Sequence, residues 1–220
     1  MTRVFLDPSA EAAVKQRAAA VETSTGVEVV AAVIARADSY PEIPWKAFAL
    51  GTSLAAAAAV AAALLEPGWE SAEAVVETVV ALLAAGGVIA LATVWFAPLA
   101  RLFLPRTRGQ TEVLQYAQAL FLEQELHQAH RRDGVLFLVS LFEREVVLLP
   151  DRGVRDKLGP GGLDPVVAAV TARLAAGSLE NALLDGLAQL EAVLAAHGFR
   201  AQPGDSNEIS DAVIQRRGSS

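Results

Sequence analysis

The chain contains no cysteine. That absence removes disulfides, thiolate metal sites and thiol nucleophiles together. Histidine is scarce, with three in 220 residues, so imidazole chemistry is confined to His127, His130 and His197. Positive charge is also in deficit: 18 Lys and Arg stand against 25 Asp and Glu, a formal charge of −7. Nucleic acid is therefore not expected as a partner, since phosphate binding needs a basic face. There is no Gly-x-Ser-x-Gly elbow for a serine nucleophile. The glycine-rich stretch Gly159-Pro160-Gly161-Gly162 lacks the lysine of a phosphate cradle and reads as a loop. The first thirty residues show no cationic start followed by an apolar core, so no cleaved signal peptide is expected.

What the chain has in abundance is apolar sequence, 53% of all residues. The excess is concentrated in two runs, Trp45 to Leu65 and Val75 to Phe96. Each is some twenty residues long, and at about 1.5 Å per residue a helix of that length spans roughly 30 Å, the hydrocarbon thickness of a bilayer. Between them lies a short acidic turn from Glu66 to Glu73. This pattern predicts a transmembrane helical hairpin over 45–96. Arg36 and Lys46 flank the start of the first span, and Arg101, Arg106 and Arg108 follow the second, while Glu66, Glu70, Glu73 and Glu77 mark the far side. By the positive-inside rule both termini face the cytoplasm. The spans are rich in small residues, such as Ala84-Ala85-Gly86-Gly87, which let helices approach closely in lipid. No ionisable residue lies at mid-depth, so the hairpin reads as an anchor and not as a transport path.

The remaining sequence predicts one soluble domain, residues 1–40 and 107–199, interrupted by the hairpin. Asp7-Pro8 opens a helix as N-cap and first helical residue, and Thr23 to Gly26 closes it. Val27 to Ala35 is an apolar run, broken only by Glu28, suited to a strand buried on both faces. Gln110 to His130 carries Val113, Ala117, Leu120 and Phe121 on one helical stripe. Gly134 to Leu141 and Glu145 to Pro150 form a strand hairpin around Phe142-Glu143-Arg144, and helices follow over 164–176 and 179–197. The first two strands are expected to run parallel, because a crossover joins them. That geometry would place the Leu141 to Arg144 turn near the bilayer and Asp133 beside Asp151 away from it. Residues 200–220 read as a flexible tail ending in a short docking segment, Glu208 to Ile214. The fold expected is an α/β sandwich, a small mostly parallel or mixed sheet flanked by helices, interrupted by the hairpin.

Three stretches, AAAVETSTGVEVVAAVIARADSYP, GVLFLVSLFEREVVLLPDRGV and SNEISDAV, resemble bacterial membrane proteins of the TPM-domain family. The matching residues are Glu22, Thr25 and Glu28, Asp38 and Tyr40, Ser140, Glu143 and Arg144, Asp151, Arg152 and Gly153, and Asn207 and Glu208. The resemblance implies an α/β sandwich. It also implies either an accessory role in a membrane complex or a phosphatase that binds metal through acidic residues. Pro160-Gly161-Gly162-Leu163 and Gly198-Phe199-Arg200 depart from the family pattern.

Two constellations are candidates for chemistry. Glu123, His127, His130 and Asp133 stand at intervals of four, three and three, which puts the first three on one face of a continuous helix. Such donors suit zinc or another divalent ion, but histidines near a helix end also interact favourably with its dipole and need no metal. Asp133 and Asp151 offer oxygens for calcium or magnesium, with Arg132 and Arg152 as alternative counter-charges. A divalent cation is the one cofactor this reading admits. Glu143-Arg144 is expected to stabilise its turn. The function expected is a membrane-anchored binding or accessory protein with the lipid bilayer and a protein as partners; the alternative is a metal-dependent phosphatase.

Overall fold

A computed structural model describes residues 5–65, 71–126, 133–202 and 213–218. It divides into two compact units, Met1–Asp38 with Gly109–Ser220, and Ser39–Arg108.

The first unit is built on a four-stranded mixed sheet of order β3-β2-β1-β4. Its strands are β1 (Val29–Arg36), β2 (Val135–Ser140), β3 (Glu145–Pro150) and β4 (Ile214–Gly218). β1 and β2 pair in parallel, as a crossover connection requires, with Val29 opposite Val135. β2 and β3 pair antiparallel, with Ser140 opposite Glu145. β1, β2 and β3 are mostly apolar because both faces of the sheet are covered. Alternate residues Val29, Ala31 and Val33, with Val135, Phe137 and Val139, pack into one cluster. Helices α1 (Pro8–Thr25), α7 (Asp164–Ala175) and α8 (Leu179–Ala196) cover that side through residues such as Val14, Val170 and Leu187. The intervening Val30, Ala32, Ile34, Leu136 and Leu138 join a second cluster with Val113, Ala117, Leu120 and Phe121 of α5 (Arg106–Glu123). A short α6 (Arg152–Leu158) follows β3. α8 sits tight on the sheet because Gly186 has no side chain: a Cβ there would lie 2.5 Å from Val170 and 2.8 Å from Phe137.

Local signals explain the boundaries. Asp7 caps α1 by accepting the Ala10 N–H at 2.8 Å, with Pro8 in the first turn. Gly26 ends it at φ +71°, where its N–H reaches the Glu22 carbonyl. Ser178 caps α8 by accepting the Asn181 N–H.

Two expectations need correction. The helix expected over 110–130 begins at Arg106 and closes at Glu123. Glu125 turns the chain into the left-handed region at φ +54°, which delivers Leu126 into the second cluster, fully buried. Burial of that leucine outweighs helical continuity. The tail expected to be flexible over 200–220 contains β4, whose Ile214 lies opposite Ala32 and Gly218 opposite Arg36. The pairing satisfies the outer edge of β1, which short polar sequence alone does not announce. Most of the proposed docking segment, 208–212, lies outside the described residues.

The second unit is a helical hairpin of α2 (Glu42–Leu65) and α3 (Ala72–Trp95), followed by α4 (Ala97–Leu102). Each long helix is long and apolar enough to cross a membrane, and only 6% of its most apolar stretch is buried. The helices meet at glycines: a Cβ on Gly51 would lie 3.0 Å from the Gly86 Cα, and one on Gly86 would lie 2.9 Å from the Phe48 carbonyl. Near its open end Arg108 pairs with Glu42 at 3.1 Å.

Candidate functional site

The candidate residues divide between two ends of the sheet. At the end where β1 and β2 begin, side chains and backbone interlock. The Glu22 carboxylate accepts the Val29 N–H at 3.0 Å, fixing the first residue of β1 to the last turns of α1. Thr25 donates its hydroxyl to the Val21 carbonyl at 2.7 Å and accepts the Val27 N–H at 3.2 Å, bracing the same turn. The Glu28 carbonyl accepts from Val135 at 2.8 Å, and the Asp151 N–H donates to Gly134 at 2.7 Å. That last bond extends the β2–β3 ladder one pair beyond Val135 and Pro150, so Asp151 lies opposite Gly134 and Asp133 stands one residue further along its strand's path.

Asp151 is buried, at 7% exposure. One carboxylate oxygen accepts the Arg152 N–H at 2.7 Å and so heads α6, in whose first turn Arg152 and Gly153 lie. Its Oδ2 is buried and has no hydrogen-bond partner among the described residues. The Arg152 side chain turns outward to Asp156 at 3.4 Å. Arg155 donates to the Pro150 carbonyl at 2.9 Å.

His127, His130 and Arg132 lie outside the described residues. The helical face that would align Glu123 with the two histidines requires a helix through position 130, and α5 closes at Glu123. Among the described residues no three His, Asp or Glu side chains converge to hold a metal ion.

At the opposite end, Glu143 laces the β2–β3 turn to the exit of β1. Its Oε1 accepts the Ala37 N–H at 2.8 Å, and Ser140 donates its hydroxyl to Oε2. Leu141 and Phe142 donate to the carbonyls of Ile34 and Ala35 at 3.0 and 2.8 Å. Arg144 closes the four-residue turn at φ +57°, a left-handed position that such loops require. Asp38 follows β1 half-buried. Tyr40 is buried at φ +50°, and Asn207 and Glu208 lie outside the described residues.

Several interacting residues escape a reading of the sequence alone. Arg216 grips Glu123 with two bonds of 2.6 and 2.7 Å, which lowers the carboxyl pKa and raises that of the guanidinium. Glu191 accepts from Ser24 at 2.6 Å and from Arg17 at 2.5 Å, and these bonds hold its pKa below the ordinary value. Gln215 ties β4 to Phe5, Leu6 and Glu11. The available signal was the Val213-Ile214-Gln215-Arg216-Arg217-Gly218 stretch, in which two branched apolar residues precede a glycine stop.

Residues 97–193 match the family model of the TPM domain. That span begins after the hairpin, so it omits α1 and β1, although both belong to the same compact unit. No curated protein matches the sequence significantly. Among solved structures, BA42 from the psychrophilic bacterium Bizionia argentinensis is similar with a TM-score of 0.59. The match covers 96% of each chain at 14% identity, a likeness of fold alone. Over residues 97–193, under half of its 220 residues, the chain is similar to the TPM domain.

Proposed function

We propose that this chain is a TPM-like protein tethered to a bacterial inner membrane by α2 and α3, and that it serves as a binding or accessory factor for a membrane complex. One observation carries the reading. The two apolar helices turn residues such as Leu54, Val60, Leu64, Val80, Val88 and Leu91 outward, each more than half exposed. A helix that is apolar on all sides needs an apolar surrounding, and lipid supplies it for two neighbouring spans of this length. The cations Lys46, Arg101, Arg106 and Arg108 set the open end on the cytoplasmic side. The accessory role draws on the polar groups at the sheet ends: Glu22, Thr25 and Glu143 are engaged with backbone, so they brace a scaffold.

The test uses the cysteine-free background. Glu73→Cys in living cells should react with a membrane-impermeant maleimide, and Gln118→Cys only after lysis. The opposite pattern overturns the orientation, and extraction of the protein by alkaline carbonate overturns the tether. Recovery from mild detergent should bring the same membrane protein in repeated preparations; recovery of the chain alone at native expression counts against the accessory role.

A second reading, a divalent cation at the Asp133 and Asp151 end supporting phosphatase chemistry, is favoured by the buried Asp151 oxygen. Carboxylate oxygens there suit calcium or magnesium better than zinc. Thermal stability followed with calcium, magnesium, manganese and zinc decides it. A rise with one ion, abolished in Asp133→Asn with Asp151→Asn, supports the cation, and no rise with any ion removes it.

A further inference from the structure

β4 joins the sheet on different terms from its three companions. β1 and β2 fill both apolar clusters and β3 contributes to each, whereas from 213–218 only Val213 and Ile214 reach them. Polar devices hold the rest. The Gln215 Oε1 accepts the N–H groups of Phe5 and Leu6 at 2.7 and 3.0 Å, and its Nε2 donates to Glu11 at 2.8 Å. On the other face Arg216 forks onto Glu123. Gly218, at φ +85°, passes so close to β1 that a Cβ would fall 1.5 Å from the Arg36 carbonyl oxygen. With β4 lifted away, β1 keeps β2, both clusters keep their helices, and a row of backbone donors and acceptors is left open. The slot thus selects a strand reading apolar, Gln, Arg, any residue, Gly.

We infer that β4 is an exchangeable strand, and that the slot beside β1 also receives β4 from a second copy of this chain. The contacts that hold the strand come from Phe5, Leu6, Glu11, β1 and Glu123, all remote from it in sequence. They are the same whether the strand arrives from its own chain or from another. The covalent path back to α8 runs through 200–213, which includes Pro203-Gly204-Asp205-Ser206-Asn207. A path of that length reaches at most roughly 45–50 Å. An edge strand held by polar clamps and little apolar area opens locally, without unfolding the sheet behind it. Reciprocal exchange closes a two-fold pair in which each copy completes the other's sheet. The inference is independent of the membrane tether.

The absence of cysteine makes the test clean. Ala32 and Ile214 are register partners on β1 and β4. Full-length Ala32→Cys and Ile214→Cys chains carrying different tags are purified in detergent, mixed and oxidised. A disulfide-linked heterodimer is expected, at least tenfold above the homodimer of either variant alone. The Ala32→Cys, Ile214→Cys double variant, oxidised when dilute, should instead close within one chain. Adding Gly218→Val to the double variant should abolish that closure. Intrachain closure without any heterodimer overturns the exchange. Homodimers of Ile214→Cys as abundant as heterodimers reduce the linkage to collision and overturn it too, and failure of the double variant to close overturns the slot itself.

Discussion

The sheet unit and the helical hairpin draw on the same small and branched apolar residues and put them to opposite uses. In the sheet unit Val33, Phe137 and Leu187 are fully enclosed, while in the hairpin Leu54 is 59% and Val88 68% exposed. Composition does not separate them; periodicity does. Around the sheet, apolar residues recur on defined stripes of α1, α5 and α8 and leave a polar side for water. Along α2 and α3 they occupy every side, and no stripe remains to face water. Glycine serves both regions in one way, since Gly186 and Gly86 each admit a neighbour that a side chain would exclude.

The sharpest way to break the contrast is to remove equal bulk from each region. Phe137→Ala should destabilise the sheet unit by about 3–5 kcal/mol, as large-to-small changes at enclosed aromatics do. Thermal unfolding of the full chain in detergent, followed by near-ultraviolet circular dichroism, measures it. Leu54→Ala should leave that transition within about 0.5 kcal/mol, as expected for a side chain with nothing packed over it. A comparable loss from Leu54→Ala would mean that its exposure is not real.

Gly86→Val should weaken the α2–α3 contact by about 1–3 kcal/mol through overpacking. Cross-linking between cysteines placed across the hairpin should fall, while the sheet unit melts as before. Glu143→Ala should destabilise by about 1–3 kcal/mol, because the Ala37 N–H and the buried Ser140 hydroxyl lose a charged acceptor. Glu143→Gln should recover part of that loss, since an amide oxygen still accepts one bond.

The smallest effect concerns acid. Glu123 and Glu191 both titrate below their ordinary value of 4.5 in the folded state. Their stabilisation is complete above that value and disappears as pH falls through the lower folded value. Both groups are close to solvent, so the effect is modest. Melting curves between pH 6 and pH 3 should show a shallower acid decline in Glu191→Gln than in the parent.

Much of this fold was legible because its signals are local. Asp7-Pro8, Gly26 and Ser178 act within a turn of where they stand, and the Glu145 to Pro150 strand follows directly from its hairpin partner. The misses were non-local. Nothing near Gln215 or Arg216 indicates that Phe5, Glu11 and Glu123 wait for them, and the end of α5 was set by a place for Leu126 in the core. For the candidate site, the antiparallel register continues to Gly134 opposite Asp151, which leaves Asp133 one residue further on; whether a carboxylate braces backbone or awaits a ligand depends on neighbours that spacing does not reveal.

The order in which the chain leaves the ribosome gives the interrupted sheet a temporal meaning. β1 is finished at Arg36, and its partner β2 begins only at Val135, after both long apolar helices. At roughly 5–20 residues per second, β1 waits on the order of 5–20 s for its partner. During that interval an eight-residue, mostly apolar strand can be covered by α1 on one face and, once Arg106–Glu123 has emerged, by α5 on the other, so both helix layers of the sheet are available before the strand partner is.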